Sequence, residues 1–517
     1  ETVDPHQLLG IELNPRAAAI AEVVLWIGYL QWHYRTRGDV QPPQPVIRDF
    51  RNIENRDAVL AYDHMEHVTD ERGVPVMRWD GVTTKPSPVT GLEIPDDSAR
   101  VPLERYVNPR KAAWPEADFV VGNPPYLGAR TIRASLGDGY LEAIRGIYSD
   151  VPDNADFVMY WWDRCAELVN GGSLQRFGLI TTNSIRQEFS RKVLNKHFAA
   201  NPKFGLRFCI PDHPWVDSSN GAAVRVALTT ADAAGGIGSL AIVEEETPGG
   251  DDEVMVALRH AHGLITPSLS VGHDIGTCTA LLANSQLSCV GYQLTGQGFV
   301  VNADTAQTLD PCFVDGSQLI RPLVSGSDIV RIPRGLYAID LFALNVDQLR
   351  NKQPALYQHV LTRVKPERDQ NPRQSLKDRW WIFGEARSTF RPALIELGRA
   401  LVTSLTAKHR TFVFVDAQAV CDSSTVMFAL DNAWALGVLS SCTHVTWALA
   451  AGGRLGVGND PRYNKTRCFE PFPFPILSDD QQHRIGNLAE QLDAHRKRQQ
   501  AAHPDLTLTG MYNVLEK

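Results

Sequence analysis

The sequence predicts an α/β protein in which a doubly wound, mostly parallel sheet is followed by a second, α+β domain. Short apolar runs alternate with helical patterns through the first half of the chain, and this alternation fades after the acidic segment Glu244–Glu253. With 517 residues, of which 43% are hydrophobic, the chain is also too long for one compact core. We therefore expect a first domain over residues 1–246 with an insertion at 63–115, a connector over 247–300, a second domain over 301–477 and a C-terminal helical segment over 478–517.

The first elements follow from a short apolar run over Leu8–Leu13, which predicts a strand, and from the alanine-rich pattern that continues to about Trp32 and predicts a helix. Asn14 suits the N-cap of that helix. Pro15 suits its first turn, where a missing N–H costs nothing. A further short strand is expected over Pro45–Ile53.

The remaining elements are predicted by the same patterns. They are a strand over Ala117–Gly122 that stops at Asn123, a helix over Ala155–Val169 that ends at a Gly pair, a strand over Arg176–Thr181, a late edge strand over Ala222–Leu228, one apolar core helix over Ala433–Ala450, and a polar helix to about Gln500 that opens with a capping box at Ser478.

Neither of the two longest apolar stretches suits a membrane. Glu22 interrupts the first stretch, Ala17–Trp32, and polar residues interrupt the second, Ala433–Ala451. The eight cysteines are scattered without a CxxC pair, which favours reduced thiols in a cytoplasmic protein. No metal is expected, because His260 and His262 lack a third ligand at a recognisable spacing.

A polar motif, Asn123-Pro124-Pro125-Tyr126, follows the predicted strand that ends at Gly122. Ligands of open α/β sheets bind beyond the carboxyl ends of strands, where this motif lies. The Asn123 side-chain oxygen and the Pro124 carbonyl can accept hydrogen bonds from one amino group, because prolines fix the backbone and donate nothing. Two such acceptors favour a pyramidal nitrogen on a base amine, and Tyr126 offers a face for stacking. A strand-end turn with a packed tyrosine is the alternative.

The motif and its surroundings resemble the γ-class N6-adenine DNA methyltransferases, especially the large single-chain bacterial restriction-modification type. The blocks that carry the resemblance, from residue 5 to about 477, are GIELNP, NPPY, ADFVMYWW, RFGLITTNS, HPWV with AAVRVAL, SGSDIVRIPRG and RYNKTRCFEPFPFP. The resemblance implies a Rossmann-like sheet with S-adenosylmethionine as cofactor and no metal. It also implies in-line methyl transfer to N6 of an adenine turned out of duplex DNA, as part of a restriction-modification or phage-defence system.

By this resemblance the NPPY motif, Asn123 to Tyr126, holds the target base. Trp215 packs against the flipped base, with a core tryptophan as the alternative, and Asn183 helps to shape the pocket. Glu12 would hold the cofactor's ribose hydroxyls.

The resemblance also implies that Asp57 meets the cofactor's adenine amino group, with Asp49 as a competing position. The alternatives are a helix-terminal charge for Glu12 and a turn residue for Asp57.

Double-stranded DNA is the partner that the resemblance implies, although the net charge is −8. The basic charge is concentrated, since Arg350 to Arg410 contains 13 Lys or Arg and 5 Asp or Glu, a local +8. Such an excess fits phosphate positioning by the second domain. The candidate base contacts are Arg331, Arg334, Arg454 and Asn464, with phosphate contact or a plain surface position as the alternative for each.

One feature of the family is not found: a Gly-rich cofactor loop after a strand that precedes GIELNP. We therefore expect the first strand to be absent and the cofactor site to be incomplete. Three explanations stay open: a truncated sequence, a second chain that completes the sheet, or a degenerate protein that binds DNA without methylating it. The competing functional hypothesis is thus a noncatalytic DNA-recognition module, whereas the long second domain disfavours RNA or protein as substrate.

Overall fold

The computed structural model describes residues 5–42, 52–86, 93–128, 131–215, 224–248, 254–272, 275, 278–313, 317–371, 373–455 and 460–515. These residues form two compact units. The first contains the described residues up to 272, and the second contains those from Ile275 onward.

The first unit opens with a parallel strand pair and a helix. Strand β1 (Gly10–Glu12) pairs in parallel with β2 (Ile53–Asn55), and α1 (Pro15–Arg37) lies between them in the chain. The Asn14 side chain accepts two backbone hydrogen bonds at the start of α1, and a proline occupies the first turn, so the predicted cap is confirmed. The strand predicted over Pro45–Ile53 lies outside the described residues except at its end.

Residues 60–111 form nested antiparallel pairs. The pairs are β3 (Leu60–Ala61) with β10 (Arg110–Lys111), β4 (His64–His67) with β9 (Glu104–Val107), β5 (Met77–Trp79) with β8 (Arg100–Pro102), and β6 (Thr84–Pro86) with β7 (Glu93–Pro95). Because the pairs are nested, the segment forms a two-stranded ribbon whose two ends, β3 and β10, lie side by side.

A six-stranded sheet and four helices form the centre of the first unit. The strands are β11 (Phe119–Gly122), β12 (Arg176–Thr182), β13 (Gly205–Trp215), β14 (Val224–Asp232), β15 (Gly238–Pro248) and β16 (Val254–Gly263), in the order β11-β12-β14-β13-β15-β16. The helices are α2 (Ile132–Leu136), α3 (Asp138–Ile147), α4 (Val158–Asn170) and α5 (Glu188–Ala200). Buried side chains of α3, α4 and α5, among them Trp162 and Leu194, pack with Phe177 of β12 in one hydrophobic core.

Two expectations about this sheet are wrong. The sheet is mixed rather than mostly parallel, since three of its five described pairings are antiparallel. The strand predicted at the edge from Ala222–Leu228 is β14, which lies in the interior between β12 and β13. A hairpin return from β13 places it there, so the apolar alternation marks an antiparallel strand and not an edge. The sheet also continues past the acidic residues at 244–246, which lie within β15.

The second unit contains two four-stranded sheets and a hairpin. The first sheet has the order β17 (Ser288–Val290), β24 (Thr425–Phe428), β21 (Arg399–Ser404), β22 (Val413–Asp416). The second has the order β18 (Val300–Val301), β20 (Tyr337–Ile339), β19 (Ile320–Val324), β23 (Val420–Cys421). The hairpin pairs β25 (Gly453–Leu455) with β26 (Asp460–Arg462).

The helices of the second unit are mostly short. They are α6 (Ala303–Leu309), α7 (Gly326–Val330), α8 (Val346–Lys352), α9 (Pro354–Arg363), α10 (Lys365–Asp369), α11 (Gln374–Asp378), α12 (Ala433–Leu439), α13 (Cys442–Ala451), α14 (Lys465–Cys468), α15 (Asp479–Ala502) and α16 (Leu508–Leu515). The capping box at Ser478 is confirmed at the start of α15. The single helix predicted over Ala433–Ala450 is wrong: α12 ends before Ser440, and Ser441 caps α13 as a new helix.

Candidate active site

The NPPY motif forms the loop that follows β11. Asn123 is exposed, Pro124 is buried and Tyr126 is partly buried. The Tyr126 hydroxyl donates a hydrogen bond to Asn123 Oδ1. Burial raises the pKa of Tyr126, so the phenol stays protonated and able to donate at neutral pH. The amide oxygen at the end of the strand is therefore accessible, and its partner is the aromatic residue of the same loop.

The start of α4 holds this loop in place. The backbone N–H of Phe157 donates to the Leu127 carbonyl at 2.9 Å. The preceding Asp156 accepts hydrogen bonds from Thr182 Oγ1 at 3.1 Å and from Ser184 Oγ. Since Thr182 ends β12, Asp156 and Phe157 connect the NPPY loop to the carboxyl end of the neighbouring parallel strand.

Glu12 and Asp57 lie at the carboxyl ends of the parallel strands β1 and β2. Glu12 Oε1 accepts from the backbone N–H of Asn14 at 2.7 Å, beside the start of α1. Asp57 Oδ1 accepts from two backbone N–H groups of the following turn at 2.6 and 3.1 Å. Each carboxylate thus also stabilises its local turn, which is the alternative role considered for it. The competing Asp49 lies outside the described residues.

A series of contacts joins Asp57 to the NPPY loop. The Tyr140 hydroxyl of α3 donates to Asp57 Oδ2 at 2.8 Å. The Tyr140 ring lies edge-on to the ring of Phe157, with 6.3 Å between centroids, and Phe157 holds Leu127 as described above. Burial, reinforced by the charge of Asp57, raises the pKa of Tyr140, so its phenol remains a donor. Asp57 and the NPPY loop therefore belong to one connected region.

Trp215 and Asn183 lie at the same edge of the sheet. β13, which ends at Trp215, and β12, which precedes Asn183, both run antiparallel to β14 and are therefore parallel to each other. Trp215 is 38% exposed. Asn183 Nδ2 donates to Asp212 Oδ1 at 3.2 Å, and Arg225 Nε donates to the same oxygen at 2.5 Å. A partly exposed aromatic ring is thus available beside strand ends that are ordered by polar contacts.

One face of β11 is uncovered. Phe119 is 62% exposed and Val121 is 89% exposed, whereas the alternate Val120 packs against the core. Among the described residues β11 pairs with β12 alone, so its other edge has no strand partner. Leu13, just beyond β1, is 66% exposed. Strands of parallel α/β sheets are ordinarily covered on both faces, and apolar edges are ordinarily paired or protected.

The two candidate arginines near α7 have different environments. Arg331 is exposed. Arg334 donates to both carboxylate oxygens of Asp328, at 3.0 and 2.8 Å, and to Ser325 Oγ at 2.9 Å. Although burial opposes it, the hydrogen bonds from Arg334 and Ser325 hold the pKa of Asp328 well below its ordinary value. Arg334 therefore braces the loop that presents Arg331.

The other two candidates belong to the β25–β26 hairpin and its exit. The Arg454 backbone pairs with Pro461, and its side chain lies outside the described residues. Asn464 is partly buried at the start of α14, and its side chain makes no capping hydrogen bond there.

The basic segment from Arg350 to Arg410 is only partly a charged surface. Arg368 and Arg410 are buried. Arg391 forms two hydrogen bonds with Asp340 at 2.7 and 3.0 Å, and Arg399 pairs with Glu490 at 2.5 Å. The exposed cations of the helical part of the segment are Arg350, Lys352, Arg363, Arg373 and Arg379.

Sequence reasoning did not single out Asp156, Tyr140 or Asp212. Asp156 lies within the ADFVMYWW block, and its position just before a helix was an available signal. Tyr140 and Asp212 carried no local signal, because their partners Asp57 and Asn183 are distant in the chain.

Within the ranges that the structure describes, no cluster of three His, Cys, Asp or Glu residues could hold a metal ion. The helices in those ranges include none that is long and apolar enough to span a bilayer.

A mixed sheet with polar residues at its strand ends, followed by a separate mixed α/β unit, is compatible with a methyltransferase domain that precedes a target recognition domain, and two family models match the chain in that order. Residues 1–235 match the DNA-methyltransferase domain of MmeI, and residues 286–476 match the MmeI target recognition domain. The chain thus carries a methyltransferase domain and a target recognition domain of the MmeI type.

The fold is similar to that of one solved structure of this kind. The Type IIL restriction-modification enzyme MmeI in complex with DNA is 18% identical, with a TM-score of 0.60 over 77% of this chain and 51% of that one. This chain therefore spans about half the length of that structure. The type IIG restriction endonuclease BpuSI (10% identical, 72% and 49% covered, TM-score 0.27) and the DrdV–DNA complex (9% identical, 73% and 44% covered, TM-score 0.32) are more distant. No curated protein matches the chain.

Proposed function

We propose that the chain is a site-specific DNA methyltransferase of the γ class, which transfers a methyl group from S-adenosylmethionine to N6 of an adenine flipped out of duplex DNA. Its setting is a restriction-modification or phage-defence system. The observation that carries the proposal is the exposed Asn123 amide at the end of β11, in a loop fixed by buried Pro124 and by the Phe157–Leu127 hydrogen bond, within a methyltransferase domain that precedes a target recognition domain.

The NPPY loop would prepare the amine for reaction. Asn123 Oδ1 and the Pro124 carbonyl accept from the two N6 hydrogens, which reduces delocalisation of the nitrogen lone pair into the ring. Pro125 keeps the backbone rigid, and Tyr126 stacks on the base while Trp215 packs against it. The N6–methyl bond would form as the sulfonium carbon–sulfur bond breaks, and the surplus N6 proton would pass to water. Alignment of the reactants is the main contribution of the protein.

The residues at the β1–β2 edge fit part of a cofactor site. Glu12 would accept from the ribose hydroxyls and Asp57 from the adenine amine, while Asp57 keeps its hydrogen bond to Tyr140. S-adenosylmethionine would supply the electrophilic methyl group. The unpaired edge of β11 and its exposed Phe119 and Val121 support a further proposal. A preceding segment or a second chain pairs a strand with this edge, covers the exposed face with further residues and brings the Gly-rich loop.

The domain assignment follows the same plan. We assign residues 1–246 to the catalytic core with its insertion at 63–115, 247–300 to a connector into which the sheet of the core extends through the end of β15 and β16, 301–477 to target recognition and 478–517 to the C-terminal helical segment. Phosphates would be held by the exposed cations of α8 to α11, and base edges read by Arg331, Arg334, Arg454 and Asn464.

Transfer of radiolabelled methyl groups from S-adenosylmethionine to duplex DNA, followed by digestion and nucleoside analysis, tests this proposal. The chain is assayed alone and with its native preceding residues, beside Asn123→Ala. N6-methyladenine is expected in duplex DNA and not in RNA or protein. Label in cytosine or in RNA would overturn the proposed chemistry.

The uncovered face of β11 also favours a second candidate, a noncatalytic DNA-recognition module. It predicts motif-specific, salt-sensitive DNA binding without affinity for S-adenosylmethionine in either form of the protein. Calorimetric titration with S-adenosylmethionine separates the two, since binding by the extended form contradicts this second candidate.

A further inference from the structure

The β25–β26 hairpin is a two-stranded antiparallel β-ribbon. A two-stranded β-ribbon fits the major groove. The hairpin carries Arg454 on its first strand, and Asn464 follows its second strand. Arg462, the last residue of β26, is a further cation where the hairpin joins the rest of the unit. An element of this kind reads bases only if its orientation relative to the rest of the unit is fixed.

The end of the hairpin that joins the rest of the second unit is closely packed. A Cβ atom at Gly452 would lie 2.5 Å from the Arg462 carbonyl oxygen and 2.7 Å from the Ala448 carbonyl oxygen. On the other strand, the Tyr463 N–H donates to the Leu405 carbonyl at 2.8 Å. Tyr463 is fully buried among aromatic rings of the second unit. The hairpin therefore joins the rest of the second unit through closely packed positions next to both strands.

Arg410 connects this end of the hairpin to β21. Its guanidinium donates through Nη2 to the Pro461 carbonyl of β26 at 2.9 Å, and through Nη1 to Thr403 Oγ1 at 3.2 Å and to the Ser404 carbonyl of β21. It also lies 5.2 Å from the centre of the Tyr463 ring. One side chain thus ties the second strand of the hairpin to the end of β21.

The placement is energetically unusual. Arg410 is 7% exposed and has no carboxylate partner among the described residues. Burial lowers the pKa of Arg410 to about 10, so it remains charged at neutral pH. A buried cation whose partners are neutral carbonyl and hydroxyl oxygens is retained at a cost in stability. The rigid guanidinium fork, which spans two backbone segments at once, is a geometry that lysine cannot reproduce.

We propose that Arg410 is a positioning residue for sequence recognition: it fixes the β25–β26 hairpin relative to β21 so that the hairpin presents its polar side chains to the base edges of duplex DNA. This inference rests on the proposed function, since it requires the second unit to read DNA. Arg410 itself is buried and touches no DNA.

Selection from a pool of DNA duplexes with a randomised central segment tests the proposal, using the full chain and sequencing of the bound fraction. The wild type is expected to enrich one motif. Arg410→Lys is expected to bind the unselected pool within about twofold of the wild type, yet to lose about tenfold of the enrichment at one or more positions of the motif. Gly452→Ala introduces a methyl group that would displace the same end of the hairpin from the side of β25. This variant is expected to lose enrichment at the same positions of the motif.

Arg368→Lys is the matched control. Arg368 is also a buried arginine, 1% exposed, and donates to the carbonyl oxygens of Leu294 and Ile382 at 3.0 and 2.9 Å, away from the hairpin. At a comparable loss of thermal stability, this variant is expected to keep the wild-type motif. An equal loss of enrichment in Arg368→Lys would reduce Arg410 to a general structural role and overturn the inference.

The remaining outcomes also support or overturn the inference. If Arg410→Lys keeps the wild-type motif, the inference fails while the proposed function stands. If the wild type enriches no motif, the recognition function fails and the inference fails with it. Should Arg410→Lys not fold, Thr403→Val removes one anchor of the guanidinium and takes its place: loss of enrichment supports the inference, and retention overturns it.

Discussion

The Tyr126 hydroxyl donates a hydrogen bond to Asn123 Oδ1, so the proposed stacking residue occupies the proposed base acceptor while no base is present. An entering adenine amine competes with the hydroxyl for this oxygen, which has two lone pairs to offer. The ring and the hydroxyl of Tyr126 therefore have opposite consequences: the ring favours the flipped base, and the hydroxyl competes with it.

Substitution at Tyr126 separates these two effects. Tyr126→Phe keeps the ring and frees the acceptor, so we expect single-turnover methylation at least as fast as in the wild type. Tyr126→Ala removes the stacking surface, worth about 1–3 kcal/mol per base, and is expected to methylate about 10- to 100-fold more slowly. An equal loss in both variants would show that the hydroxyl, and not the ring, is the essential group.

A second prediction concerns the cofactor. Glu12→Gln removes the charge at the end of β1 while keeping an oxygen for the Asn14 N–H. A charged hydrogen bond is worth about 1.5–3 kcal/mol. Calorimetry on whichever form of the protein binds S-adenosylmethionine, the chain alone or the extended chain, should therefore show that Glu12→Gln binds it about 10- to 100-fold more weakly than the wild type. Glu66→Gln, whose carboxylate pairs with Arg105 on the ribbon, is the control and should leave the affinity unchanged. Unchanged affinity in Glu12→Gln would remove Glu12 from the cofactor site.

Arg331 and Arg334 are predicted to differ although they are three residues apart. Exposed Arg331 is free to meet DNA, and Arg331→Ala should reduce the slope of log affinity against log salt by about 1 if it contacts a phosphate. Arg334→Ala breaks the brace to Asp328 and should lower the melting temperature more than Arg331→Ala does. The prediction fails if the Arg331 variant keeps both the wild-type salt slope and the wild-type affinity.

The second unit should lose stability in mild acid through His444. Burial, with a further contribution from the Arg410 charge, lowers the pKa of His444 to about 3, and His444 Nε2 lies 2.9 Å from the Tyr463 hydroxyl. The folded state therefore keeps this imidazole neutral, whereas the unfolded chain takes up a proton below about pH 6.5. The contribution to stability is complete above that pH and declines as the pH falls towards 3.

Urea unfolding of the wild type and His444→Gln between about pH 7 and pH 5 measures this effect. Below about pH 6.5 the wild type is expected to lose up to about 1.4 kcal/mol per pH unit more than the variant, because the variant has no imidazole to protonate. Parallel pH profiles for the two proteins would contradict the assignment.

Features with local physical causes could be predicted from the sequence. Asn14 with Pro15, and Ser478 with its capping box, mark helix starts because their hydrogen bonds reach at most three residues along the chain. Asn123 was placed at a strand end for a similar reason: the apolar run before it and the prolines after it define the end locally.

Features that depend on distant partners could not be predicted. Alternation in β14 is the same for an edge strand and for an interior antiparallel strand, and only its pairing with β12 and β13 distinguishes them. Tyr140 belongs to the site through its hydrogen bond to Asp57, which lies 83 residues away in the chain. Arg410 counted as surface charge in the composition, yet the tertiary structure buries it beneath carbonyl oxygens.

The central claim is that Asn123 holds an adenine amine for methylation. Modification-sensitive sequencing of DNA from cells that express the wild-type chain with its native preceding residues, beside cells that express Asn123→Ala, tests it most directly. We predict N6-methyladenine at one motif in the wild type and none in Asn123→Ala, with DNA binding by the purified variant largely intact. Normal methylation by Asn123→Ala would contradict the account.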